Sequence, residues 1–228
     1  MSNTCKKVIA ELKALANPDA VEGMARFGIN SENTLGVSVP NMRRLAKKVG
    51  KDHELALELW ATGIHEARIL AGMVDELEAV TAEQMDAWAG DFDSWDVCDQ
   101  VCMNLFDKTP CAYDKCIEWS ANEGEFVKRA GFALMACLAW HDKVASDKGF
   151  EKFLPVIKKE SIDERNFVKK AVNWALRQIG KRNVALNKEA IATAEKIAKL
   201  DSKSAKWIAR DALKELRGEA VQKRLDAS

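Results

Sequence analysis

No uninterrupted apolar run in the 228-residue sequence approaches the roughly 20 residues that a membrane-spanning helix requires, so no contact with a membrane is expected. The first residues, Met1-Ser2-Asn3-Thr4-Cys5-Lys6-Lys7, have no apolar stretch with a cleavage site behind it. Standard export is therefore not expected, and a cytoplasmic protein is. Proline is scarce, at 4 residues, and strand-like alternation is nearly missing, which turns the reading toward helices. The six cysteines contain no Cys-x-x-Cys pair and read as reduced thiols rather than a disulfide framework. Cys98 and Cys102 are four apart, and so are Cys137 and His141, but a zinc site takes four well-spaced ligands and the three histidines are scattered. Buried small hydrophobes are the expected role, and no metal site is.

Lysine and arginine are missing altogether from Ala71 to Asp107, a stretch with ten acids. The total charge is nonetheless zero, with 35 basic and 35 acidic residues, because residues 151 to 228 carry 19 basic against 11 acidic. A polyanion could approach the C-terminal third and would be repelled by the middle, unless the fold turns those acids away.

What the chain does have is helical spacing. Apolar residues recur at three and four positions over 21–27, 41–49, 54–60, 66–77, 83–88 and 95–106, and again over 113–119, 126–140, 150–157, 167–179, 189–197 and 205–216. Pro40 suits a first helical turn, Thr81 with Gln84 reads as a capping box, and Gly50 and Gly180 sit where helices should stop. Phe126-Val127-Lys128-Arg129-Ala130, Phe167-Val168-Lys169-Lys170-Ala171 and Ala205-Lys206-Trp207-Ile208-Ala209 each open the second helix of a pair, with alanines 41 and 38 residues apart. That period predicts an all-α, HEAT-like helical-repeat solenoid, one domain over residues 1–228, whose second helices line a concave surface. An ordinary helical bundle is the alternative.

On those second helices, Trp95 and Asp99 share one face, Arg129 opens the next, and Trp174 and Arg177 lie three apart on the one after. Each has a plainer role open to it: the tryptophans as core, Asp99 as a solvated acid, Arg129 as its ion-pair partner. Arg43, Arg44, Lys47, Lys48, Lys170, Lys181, Arg182, Lys206 and Arg210 are the further cations available to a groove.

The segments Ser94-Trp95-Asp96-Val97-Cys98-Asp99, Phe126 to Ala130 and Val168 to Arg177, with Leu35 to Pro40 and Arg43-Arg44, resemble the DNA alkylation repair glycosylases of the AlkD type. The resemblance spans Asn17 to Leu216. It implies a cofactor-free monofunctional glycosylase, expected to be a monomer, that removes cationic N3- and N7-alkylpurines from duplex DNA without enclosing the base. It further implies Asp99 as the catalytic carboxylate, Trp95 and Trp174 as rings against the lesion's backbone, and Arg129 as a phosphate contact. Arg43, Arg44, Lys170 and Arg177 would add to the groove. Phe27 stands where that family has a tyrosine, and Ser94 where it has the first of two adjacent tryptophans. A non-catalytic repeat protein binding DNA or a protein partner through the same face is the alternative.

Overall fold

The computed structural model describes residues 1–227, and among them it holds fifteen α-helices, two 3-10 turns and no strand. The helices gather into two compact units, Met1–Thr109 and Pro110 onward.

The first unit contains α1 (Asn3–Ala14), α2 (Pro18–Arg26), α3 (Val39–Val49), α4 (His53–Ala61), α5 (His65–Val74), α6 (Ala82–Gly90) and α7 (Trp95–Asn104), with 3-10 turns at Leu77–Ala79 and Phe106–Lys108. Ser2, Asn17, Asp52 and Thr81 each accept a backbone N–H from the third residue on, which satisfies one orphan donor per helix start. At Thr81 only half of the expected box forms, because the Gln84 side chain donates to Asp75 Oδ2 (2.6 Å) instead of turning back. The central helix is α5, buried on nearly every side and packed on α3, α4 and α7. A Cβ on Gly72 would lie 3.2 Å from Val101, so the glycine sets how closely α5 meets α7. Between α4 and α6, Trp60 and Trp88 stack with centroids 4.0 Å apart, and Phe92 and Phe106 pack around them.

Glu66 pins the loop before α3. Its buried carboxylate accepts from the backbone N–H of Leu35 (2.9 Å), Gly36 (2.6 Å) and Val37 (3.1 Å). Gly36 has a φ of +79°, and a Cβ there would meet the Asn17 carbonyl oxygen at 2.1 Å, so only glycine fits.

The second unit contains α8 (Ala112–Ser120), α9 (Glu125–His141), α10 (Asp147–Glu151), α11 (Phe153–Glu160), α12 (Asn166–Gly180), α13 (Val184–Ala198), α14 (Lys203–Leu216) and α15 (Glu219–Asp226). The main packing partners are α8 with α9, α9 with α12, and α13 with α14. Here the sequence period becomes a ladder of contacts between side chains one repeat apart. Phe126 stacks on Phe167 (5.7 Å), Lys169 lies over Trp207 (5.2 Å), Asn173 donates to Asp211 (2.6 Å) and Arg177 donates to Glu215. Between the helices of a pair, Gly131 removes a Cβ that would sit 2.6 Å from the Ser120 nitrogen.

Two expectations need correction. The segment 150–157 is two helices, because Pro155 lacks an N–H and its ring would strike the Glu151 carbonyl, so the chain turns at Lys152 and restarts. α12 does stop at Gly180, as expected, and the glycine also gives space there: a Cβ would come within 2.8 Å of Ala190 and Leu216. Finally, α1 and α15 stand outside the predicted segments. α1 carries a helical apolar set, Cys5, Val8, Ile9 and Leu12, whereas α15 buries only Leu225.

Candidate nucleic-acid interface

The first unit builds its part from the N-terminus of α7. Ser94 is fully buried; its Oγ donates to Asp96 Oδ1 (2.8 Å) and accepts from the Asn30 N–H (3.3 Å). The other Asp96 oxygen meets Nε2 of buried His65 at 2.8 Å, and Asn30 reaches Asp93 at 3.0 Å. A tryptophan could not stand at position 94 without dismantling this network. Burial disfavours the His65 cation, but the hydrogen bond and charge of Asp96, helped by Glu66 and Asp93, hold its pKa above the ordinary 6.5. His65, Asn30 and Glu66 were not among the candidate site residues singled out from sequence, since the partners of His65 and Glu66 lie about thirty residues away and those of Asn30 more than sixty, with no local spacing to mark them.

On this base sits Trp95, half-buried, its indole N–H donating to the Phe27 carbonyl (3.1 Å). Phe27 ends α2 and is 74% exposed. One helical turn after Trp95, Asp99 is also partly exposed. The structure thus brings Phe27, Trp95 and Asp99 to one region of the first unit. Arg43 and Arg44 lie exposed on α3, where Arg44 also donates to Asn41.

Of the ten acids from Ala71 to Asp107, Asp75 and Asp107 are buried, Asp96 and Asp99 are partly exposed, and Glu76, Glu78, Glu83, Asp86, Asp91 and Asp93 are exposed. Asp75 binds His53 (2.6 Å) and Gln84, Asp91 accepts from Trp60 Nε1 (2.9 Å), and Asp96 holds His65. Arg68 lies 5.3 Å over Trp60 and donates to the Asp91 carbonyl. Local donors therefore hold Asp75, Asp91 and Asp96, while most of the stretch's carboxylates stay at the surface.

In the second unit, Arg129 is 5% exposed and its Nη1 donates to the Phe167 carbonyl (2.6 Å), joining α9 to α12. Trp174 is partly exposed on α12. Arg177 pairs with Glu215 and lies 3.7 Å from Asp211, and Lys181 reaches the other Glu215 oxygen at 2.6 Å. Burial works against the Glu215 carboxylate, but these two cations hold its pKa below the ordinary value. Lys170 and Arg210 are exposed. Arg182 faces the carbonyls of 139, 142 and 145. Among the described residues no group of three or more His, Cys, Asp or Glu side chains could hold a metal ion, and no helix is long and apolar enough to cross a membrane.

A sequence model described as DNA alkylation repair enzyme matches residues 8–216. No curated protein matches the chain. One solved structure is described as a new family of proteins related to the HEAT-like repeat DNA glycosylases with affinity for branched DNA structures. It is similar at 24% identity, with a TM-score of 0.79 over 96% of this chain and 95% of that one, which shows the HEAT-like repeat fold here. A designed armadillo repeat protein in complex with a peptide is more distant, at 14% identity and a TM-score of 0.36 over 82% of this chain and 90% of that one.

Proposed function

Because the chain belongs to the DNA alkylation repair enzyme family, we propose that it is a monofunctional DNA glycosylase that excises cationic N3- and N7-alkylpurines from duplex DNA. The observation that carries this reading is the seating of Trp95: its N–H is fixed to the Phe27 carbonyl while Asp99 follows one turn later on the same helix.

An N-alkylated purine already carries the positive charge that makes it a leaving group. When the bond between C1′ and the base nitrogen breaks, its electron pair neutralises the base and leaves cationic character on the sugar. Water then adds at C1′ and gives up a proton. An ionised carboxylate and electron-rich ring faces stabilise the sugar cation, which are the roles of Asp99, Trp95 and Trp174. No general acid is required, so the chemistry suits labile cationic lesions and fails on neutral bases. Phe27, Arg43, Arg44 and Lys170 meet the strand from exposed positions, and Arg129 and Arg177 add charge from within their pairs. Nothing in this scheme demands a closed base pocket, so substituents larger than methyl are tolerated.

The test is release of 7-methylguanine from methylated duplex DNA under single-turnover conditions. Asp99→Asn should keep fold and DNA binding while lowering the rate about tenfold to a thousandfold. Equal rates in both proteins would remove Asp99 from the mechanism. A second reading, DNA binding without catalysis, is favoured by the branched-DNA affinity of the similar structure. Tight duplex binding with no base released would establish it.

A further inference from the structure

At the far end of α9 from Arg129 lies a cleft of about 450 Å³ bounded by Trp140, Lys143, Lys181, Arg182, Asn183 and Arg224. Eleven residues separate Trp140 from Arg129, about 16 Å along the helix, so this is a different place from the proposed phosphate contact. Trp140 is 50% exposed, whereas Trp60, Trp88 and Trp119 are all buried. Its ring leans on His141, with centroids 4.5 Å apart, which supports the indole without covering it.

The wall around the ring is stiff and basic. Arg182 donates to the carbonyls of Ala139 (3.0 Å), Asp142 (2.6 Å) and Ala145 (3.3 Å) and lies 4.0 Å over the Phe150 ring. Asp142 accepts from the N–H groups of Val144 and Ala145 and from the Tyr113 hydroxyl, so the turn after α9 is held from both sides. The single carboxylate lining the cleft, Asp147, already accepts from Asn183 (2.8 Å). Lys181 is balanced by Glu215, but Lys143 is exposed and forms no ion pair among the described residues. Arg224 donates to the Lys181 carbonyl, which fixes its guanidinium at the edge of the cleft.

An exposed indole in a pre-formed, cation-rich cleft has the chemistry that receives a nucleobase and its phosphate: the ring stacks on the base without reading its edge, and the cations neutralise the backbone. We propose that the cleft binds an unpaired nucleotide of a DNA strand, with its base on Trp140 and its phosphates on Lys143 and Arg224. The proposal rests on the reading that the chain handles DNA. Gln178 on α12 and Lys181 just after its end, which line the cleft, fall one turn beyond Trp174 and Arg177, so a strand that left a duplex held there would reach it.

The experiment compares the full chain with Trp140→Ala and Lys143→Glu for binding, at one fixed salt concentration, to a blunt duplex and to the same duplex carrying a single-stranded thymidine tail, in 5′ and 3′ versions. The wild type should bind at least one tailed duplex about tenfold more tightly than the blunt one. Both variants should lose that advantage while keeping their melting temperature, blunt-duplex affinity and 7-methylguanine release. Equal wild-type affinity for all duplexes, or a tail advantage that survives in either variant, overturns the proposal. If no base is ever released but the tail advantage behaves as described, the glycosylase reading fails and this one stands.

Discussion

The two units solve the same problem, holding helices together, with differently arranged contacts. The first uses carboxylates as acceptors: Glu66 gathers three backbone N–H groups, Asp96 holds His65 and Ser94, and Asp91 holds a tryptophan. The second uses a regular ladder in which residues about one repeat apart pair side chain to side chain. The lesson is that an acidic stretch can tie some of its carboxylates to local donors, as at Asp75 and Asp96, and still leave six of its ten acids exposed. Only for the acids so matched does local composition overstate the field that a polyanion meets.

The sharpest way to break the first arrangement is Gly36→Ala. The new Cβ cannot coexist with the Asn17 carbonyl, and moving the loop strips N–H donors from buried Glu66, so a loss of about 3 kcal/mol or more is expected in urea unfolding. The matching blow to the second unit is Gly131→Ala, where the added carbon meets the backbone of α8. Overpacking should cost about 1 to 3 kcal/mol, with α8 and α9 forced apart.

A finer test sets Arg129 against its neighbours in the ladder. Arg129→Ala should flatten the salt dependence of duplex binding by about one unit, the share of a single neutralised phosphate, whatever the DNA sequence. A slope unchanged from wild type would leave Arg129 as a connector between α9 and α12 alone. The smallest effect concerns pH. Because the folded-state pKa of His65 is raised, the stability it contributes is fully present below its unfolded value near 6.5 and fades as pH climbs through the raised one. Thermal melts from pH 5 to 9 should show this decline in the wild type and a flatter profile in His65→Gln.

Much of the fold was legible because amphipathic helices announce themselves locally. The Phe-Val-Lys-Arg-Ala and Phe-Val-Lys-Lys-Ala openings marked where α9 and α12 begin, and their period pointed to a helical repeat. The contact between Phe27 and Trp95 was not legible in the sequence, since sixty-eight residues separate them and it is made through a backbone carbonyl. Least legible were the supports. Nothing about Glu66 or Ser94 in isolation tells that one will be a buried anchor and the other the hinge of a hydrogen-bond chain, because both roles depend on loops that return from elsewhere. The break at Lys152 was written plainly in Pro155, but apolar spacing ran across it and hid it.

The ladder of the second unit bears also on how such a chain can change over generations. Each connection answers to the repeat just before or just after, and the three-residue difference between the 41- and 38-residue steps falls on the linking segments rather than on the paired helices. A unit of that kind can be copied or deleted whole while its neighbours keep their matching surfaces. A single residue inserted inside α12, by contrast, would rotate its later positions by about 100°, swinging Asn173 and Arg177 away from Asp211 and Glu215 together. Length is therefore negotiable in steps of one repeat and nearly fixed within it.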